Sequence, residues 1–161
     1  MKKLLLLALF VAPMVATAQT ATGNVSATAT VSSVVVFSNP VGLDFGPPIA
    51  PGASVTVPAG AGSGRIQLDY NVAPTVTAPP SVLLSSAGGA TMTMSTLCGH
   101  DVVSTGATVT AFTCTTPEAA PFANVAAQHW FFIGGSLNVP ANQAAGVYTG
   151  TVVLTAAFTA F

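Results

Sequence analysis

Arg65-Ile66-Gln67-Leu68-Asp69-Tyr70 decides the fold class. On an extended chain Ile66, Leu68 and Tyr70 point one way while Arg65, Gln67 and Asp69 point the other, the period-two pattern of a strand with one wet face. The same logic recurs outward from it. Thr91-Met92-Thr93-Met94-Ser95 alternates again, and Val109, Ala111 and Thr113 alternate with Thr108, Thr110 and Phe112. Met92 and Met94 read as core filling rather than as a metal site.

Turn-forming residues separate these stretches: Asn39-Pro40, Gly46-Pro47-Pro48, Pro51-Gly52, the glycines of 60–64, Pro79-Pro80 and Gly88-Gly89. Strands are therefore expected near residues 23–32, 34–38, 54–57, 65–70, 81–86, 90–96, 106–114, 129–138 and 147–160. Gly88-Gly89 predicts a hairpin between the strands on either side of it. Residues 118–128 are rich in alanine, but Pro121 interrupts them, which predicts a loop with at most one helical turn. So many short strands imply an all-β domain. The expected form is an immunoglobulin-like β-sandwich of two antiparallel sheets, with a small barrel as the competing arrangement.

Lys2-Lys3, an apolar stretch over residues 4–15 broken only by Pro13, and Ala16-Thr17-Ala18 predict a secretory signal peptide over residues 1–18. The stretch is shorter than the about 20 residues that a membrane helix needs. No later segment is as long and as apolar, so no transmembrane segment is expected after signal removal. Residues 19–161 then form a single exported domain, bound for the periplasm, the cell surface or the medium.

Charge is scarce. Charged residues make up 4% of the chain, against roughly a quarter in ordinary soluble domains. Loss of Lys2 and Lys3 takes the formal charge from −1 to −3 and leaves Arg65 as the only strong base. Such a surface cannot hold a phosphate backbone, which excludes nucleic acid as a partner. Weak repulsion between copies favours self-association instead. Cys98 and Cys114 are the only cysteines. In an exported chain they most simply form an intrachain disulfide, with free or intermolecular thiols as the alternative.

Leu137-Asn138-Val139-Pro140-Ala141-Asn142-Gln143-Ala144-Ala145-Gly146-Val147-Tyr148-Thr149-Gly150 resembles the signature near the C-terminus of a family of bacterial exported proteins, DUF4402. Leu43-Asp44-Phe45-Gly46 resembles that family's motif after its first strand, and the Thr/Met-rich strand at 90–96 fits its pattern. The likeness covers nearly all of residues 19–161. It implies an immunoglobulin-like β-sandwich related in style to pilus subunits and to the spore-coat-U type of subunit. The residues also make physical sense by themselves. Pro140 ends a strand because it cannot donate to a ladder, and Gly146 permits a tight return. Tyr148 can bury its ring while its hydroxyl finds a partner. Gly150 marks a bulge or a close sheet contact. The final run, 151–161, reads as one long strand with Val152, Leu154, Ala156 and Phe158 on one face.

Catalysis lacks its parts in this sequence. His100 neighbours Asp101, but adjacent residues on an extended chain point apart, and no serine stands in a nucleophile elbow. No zinc-protease motif, calcium loop or phosphate loop is present. No catalytic, cofactor-binding or metal-ligating residue is expected, and the chain reads as a non-enzyme.

Recognition or assembly remains. The expectation is a structural subunit of a cell-surface or pilus-like assembly, joined to itself or to other envelope proteins by strand complementation. Residues 19–32 would be the donor, with Val25, Ala27, Ala29 and Val31 lining one face. The same segment reads equally as the first strand of the chain's own sandwich. The alternative function is a monomeric adhesive or carbohydrate-binding module, for which Trp130 is the candidate ligand contact. In His129-Trp130-Phe131-Phe132-Ile133, alternation sets Trp130 and Phe132 opposite Phe131 and Ile133, so one pair is either exposed or covered by a loop.

Overall fold

The computed structural model describes residues 28–29, 33–116, 118–119 and 129–158. The chain divides into residues 1–31 and residues 32–161, and the architecture is that of the second unit. Its strands are β1 (Val35–Val41), β2 (Ser54–Val57), β3 (Gly64–Tyr70), β4 (Thr75–Thr77), β5 (Ser81–Ser86), β6 (Thr91–Asp101), β7 (Thr110–Phe112), β8 (Glu118–Ala119), β9 (His129–Asn138), β10 (Tyr148–Thr149) and β11 (Thr155–Ala157). There is no helix among the described residues. One sheet has eight strands in the order β1-β3-β9-β6-β5-β10, with β2 added to β9 and β7 added to β6. The other has three, β11-β4-β8. The observed pairings are antiparallel.

The axis of the large sheet is the β6–β9 pair, in register from Met94↔Leu137 to Asp101↔Trp130. Each long strand serves two partners in turn. β9 pairs β3 through His129 to Ile133 and β2 through Gly135 to Asn138. β6 pairs β5 through Thr91 to Ser95 and β7 through Cys98 to His100. Gly134 lies where β9 changes partner. A Cβ there would overlap the backbone of Val57, Pro58 and Ala59, so only glycine lets the chain leaving β2 rest on the sheet. Gly88-Gly89 does close the β5–β6 hairpin, with Gly89 at φ 82 and Ser86 N–H bonded to Ala90 O at 2.9 Å.

The two faces of 65–70 separate as read, but the polar one is not wet: Arg65 and Asp69 are half-buried and Gln67 is buried. Leu68, Tyr70 and Phe131 of the large sheet are buried with Val76 of the small one, and Ile66, Leu154 and Ala156 pack against them. A second cluster joins Cys98, Cys114, Ala78 and Ile133. A third, Leu84, Met94 and Leu137, is covered by Leu43, Phe45, Ile49, Met92, Tyr148 and Val152. Met94 is core, as its spacing implied, and Met92 packs half-buried over the same cluster.

Five expectations need correction. β4 went unforeseen because Thr75-Val76-Thr77 is too short to show a period, although Val76 is fully buried. The strand expected at 90–96 runs on to Asp101. Within 106–114 only Thr110–Phe112 is strand. The final run is not one strand: Val152, Leu154, Ala156 and Phe158 do share the covered side, but β10 belongs to the large sheet and β11 to the small one. The chain crosses between sheets there, pressed so closely to β5 that a Cβ at Gly150 would lie 2.9 Å from Leu83 O. Glu118–Ala119 is a short strand where a loop was expected, and the strand expected at 23–32 lies, apart from residues 28–29, outside the described residues.

Candidate functional site

A cleft of about 380 Å³ opens between the loop 43–51 and the loop 143–148. Its floor is Leu84 of β5, Met92 of β6 and Leu137 of β9. Each lip has its own local bracing. On one side Asp44 Oδ1 accepts the Gly46 N–H at 2.9 Å, an Asx-type turn that aims the chain into Pro47-Pro48. Two backbone bonds, Gly52 N–H to Val139 O and Val139 N–H to Ala53 O, both 2.9 Å, tie the far end of that lip to the chain after β9. On the other side the Tyr148 hydroxyl donates to Ala144 O at 2.6 Å and accepts from Gln143 Nε2 at 2.6 Å. Gln143 Nε2 also donates to Thr91 O at 3.2 Å, which fastens the loop to β6. The polar side chains of this lip, Gln143 and Tyr148, satisfy one another.

The two stretches that carry the family likeness, Leu43-Asp44-Phe45-Gly46 and the run from Leu137 to Tyr148, thus form the facing walls of one cleft. The model of the family described as a domain of unknown function, DUF4402, matches residues 23–158. The chain belongs to the DUF4402 family. No curated protein matches it. In this DUF4402 chain the separation of the two stretches in sequence hides their meeting in space, because strands β2 to β9 intervene.

A second cluster lies inside the core. The Tyr70 hydroxyl and His129 Nδ1 are 3.3 Å apart, and the His100 and His129 rings are 6.2 Å apart between centres. Phe112 and Phe131 flank His100 at 6.1 and 6.4 Å. Register explains the meeting: His100 stands opposite Phe131 and Leu68 opposite His129, so all of these rings share the covered face. Burial, aided by repulsion from His100 and opposed by the attraction of Asp101, pushes the His129 pKa down to about 4. Burial likewise pushes Tyr70 up to about 12. Both are neutral near pH 7. Sequence reasoning missed this cluster, since nothing in the spacing of the two histidines reports strand register. Among the described residues no group of three or more His, Cys, Asp or Glu side chains could hold a metal ion.

The residues singled out from sequence fall apart in space. Cys98 and Cys114 form a disulfide with a Cα–Cα distance of 5.4 Å, closing the excursion that leaves β6 and returns as β7. Trp130 is half-buried on the opposite face of the sheet, with the Arg65 guanidinium 5.9 Å from its ring centre. Phe132, on the same face, is fully covered where the loops at 58–62 and 102–109 meet, joined by the Ala61 N–H bond to Gly106 O. Beside them the polar side chain of Gln67 is buried because its own groups are satisfied: Nε2 donates to Asp69 and Oε1 accepts from Asn39. Val25, Ala27 and Val31 lie outside the described residues, and Ala29 is exposed and in no strand. No helix among the described residues is long and apolar enough to cross a membrane.

Proposed function

We propose that this DUF4402 chain is a non-enzymatic structural subunit of a bacterial cell-surface assembly, exported through the secretory pathway and joined to its neighbours by strand addition. The observation that carries the reading is β1. It is a seven-residue strand that ends the eight-stranded sheet, and among the described residues no strand pairs with its outer edge. Its first half, with the residue just before it, exposes apolar side chains: Val34 is 51% and Val36 50% exposed. Solvent-facing edges ordinarily carry charge, proline or a bulge against unwanted pairing. Here the proline and the bulge are both confined to the far end, where Pro40 follows Asn39 at φ 51 and the register shifts between Ser38 and Val41.

The segment 19–32 suits that edge. Val25, Ala27, Ala29 and Val31 alternate with polar residues, and backbone ladder bonds supply attachment while alternate side chains set register. Pairing with β1 of the same copy would need a tight reversal at Ser32-Ser33, and such turns call for glycine or asparagine at positive φ. A neighbouring copy's β1 carries no such constraint. The scarcity of charge lets copies approach, and the disulfide supports an oxidising compartment. Two antiparallel sheets sharing one core support an immunoglobulin-like sandwich as the architecture of the subunit.

The test is the assembly state of the protein recovered from its cell envelope, resolved by size with and without boiling in detergent. A heat-sensitive ladder of multiples is expected, lost both on deletion of 19–32 and in Val34→Lys/Val36→Lys, which charges the edge without touching the core. A single monomeric species, or a ladder that survives both changes, overturns the reading.

A further inference from the structure

We infer that the cleft between the loops 43–51 and 143–148 is a binding site for a small apolar molecule that ends in an ammonium group. At about 380 Å³ it falls within the range of roughly 300–1,000 Å³ typical of small-molecule sites. The half-buried Leu43, Phe45, Ile49 and Met92, over the buried Leu84 and Leu137, accept an alkyl chain or a ring. The proline-rich lip and the Gln143–Tyr148–Ala144 hydrogen bonds hold the walls in place, so little ordering accompanies entry.

Charge selects the end group. Asp44 is the sole ionisable side chain at the cleft besides the Tyr148 phenol, whose hydroxyl is already engaged by Ala144 and Gln143. Asp44 is solvent-exposed, and only its Oδ1 is occupied, by the Gly46 N–H. Arg65, the only strong base after residue 3, lies on the other face of the sheet against Trp130. The mouth is therefore negative, which attracts a cation and disfavours a carboxylate. The site shares no residue with β1, so it stands or falls separately from the assembly reading.

The test titrates n-octylammonium, n-octanol and n-octanoate, each below its micelle-forming concentration, into the purified protein near neutral pH. The Met92 and Met94 methyl resonances report where each binds: Met92 lines the cleft, and Met94 lies beneath it in the core. Saturable one-site shifts at Met92 are expected, with the ammonium binding about two- to fivefold tighter than the alcohol, the size of an exposed ion pair, and the carboxylate weakest. Asp44→Asn keeps the turn and removes the charge, so it should equalise ammonium and alcohol while leaving octanol affinity unchanged. Ala145→Trp, at the exposed rim, should block all three. Absence of a saturable Met92 shift, an ammonium preference that persists in Asp44→Asn, or full binding by a folded Ala145→Trp overturns the proposal.

Discussion

One oxygen of Asp101 holds Thr108 twice: Oδ2 accepts its backbone N–H at 3.2 Å and its hydroxyl at 3.0 Å. The other oxygen accepts the N–H groups of Val102 and Val103 at 2.7 and 3.3 Å. The carboxylate thus closes the 102–108 loop at both ends, and that loop covers Phe132 through Gly106. Burial alone would raise the Asp101 pKa, but the Thr108 hydroxyl and the three backbone N–H groups outweigh it and hold the carboxyl below its usual range.

Asp101→Asn removes the charge and the double acceptor at Thr108, and should cost about 2 kcal/mol of stability at neutral pH. A depressed folded pKa stabilises above the unfolded value, about 3.9, and that contribution disappears as pH falls through the lower folded value. Chemical denaturation from neutral pH into acid should therefore show wild type and variant converging below about pH 4. A gap of constant size across that range would remove the carboxylate from the account.

His129 acts at a higher pH. Its folded pKa of about 4 lies below the ordinary 6.5, so the unfolded chain takes up the proton first. Stability is fully present above about pH 6.5 and is lost as pH falls toward 4, by up to about 3 kcal/mol. Melting temperature should decline over that interval in wild type and stay flatter in His129→Gln. Identical pH profiles would show that the imidazole is not the titrating group.

Cys98–Cys114 closes a loop of sequence separation 16. Its removal in Cys98→Ala/Cys114→Ala should cost about 3 kcal/mol, chiefly by freeing the unfolded chain. The denaturant midpoint should drop, and the slope should rise slightly as the freed unfolded chain exposes more surface. An unchanged midpoint would mean that β7 and Asp101 already hold the excursion.

Two glycines should respond to very different degrees. Gly134→Ala drives a methyl into the backbone of Val57 and Ala59 and should destabilise by about 3 kcal/mol or more. Gly89 has a positive φ but open space around it, so Gly89→Asn, which tolerates that conformation, should cost about 1 kcal/mol or less. Thermal unfolding of the pair separates close approach from backbone strain, and equal losses would refute the distinction.

Much of the strand layout was legible. The spans 54–57, 81–86 and 129–138 appear as read, because each is bounded by proline or glycine or, for 129–138, closed by Pro140. β4 was illegible because three residues carry no period, and the break between β10 and β11 because Val152, Leu154 and Ala156 keep their alternation while hydrogen bonds pass from one sheet to the other. The candidate site divides the same way. Its two sequence stretches stood out individually, but their meeting across the cleft depends on the β5–β6–β9 floor between them.

Side-chain alternation is a property of a single strand, and so the sequence by itself determined the all-β class, the strand-rich layout, the hairpin at Gly88-Gly89 and the membership that residues 23–158 display. Which strand lies beside which is a property of pairs. Only the tertiary structure decided that β6 and β9 form the axis, that His100 and His129 meet in the core, that Trp130 lies against Arg65, and that β1 ends the sheet among the described residues. The physical reason is that register between distant strands is set by packing and backbone hydrogen bonding across the whole sheet, and local residue patterns carry no record of it.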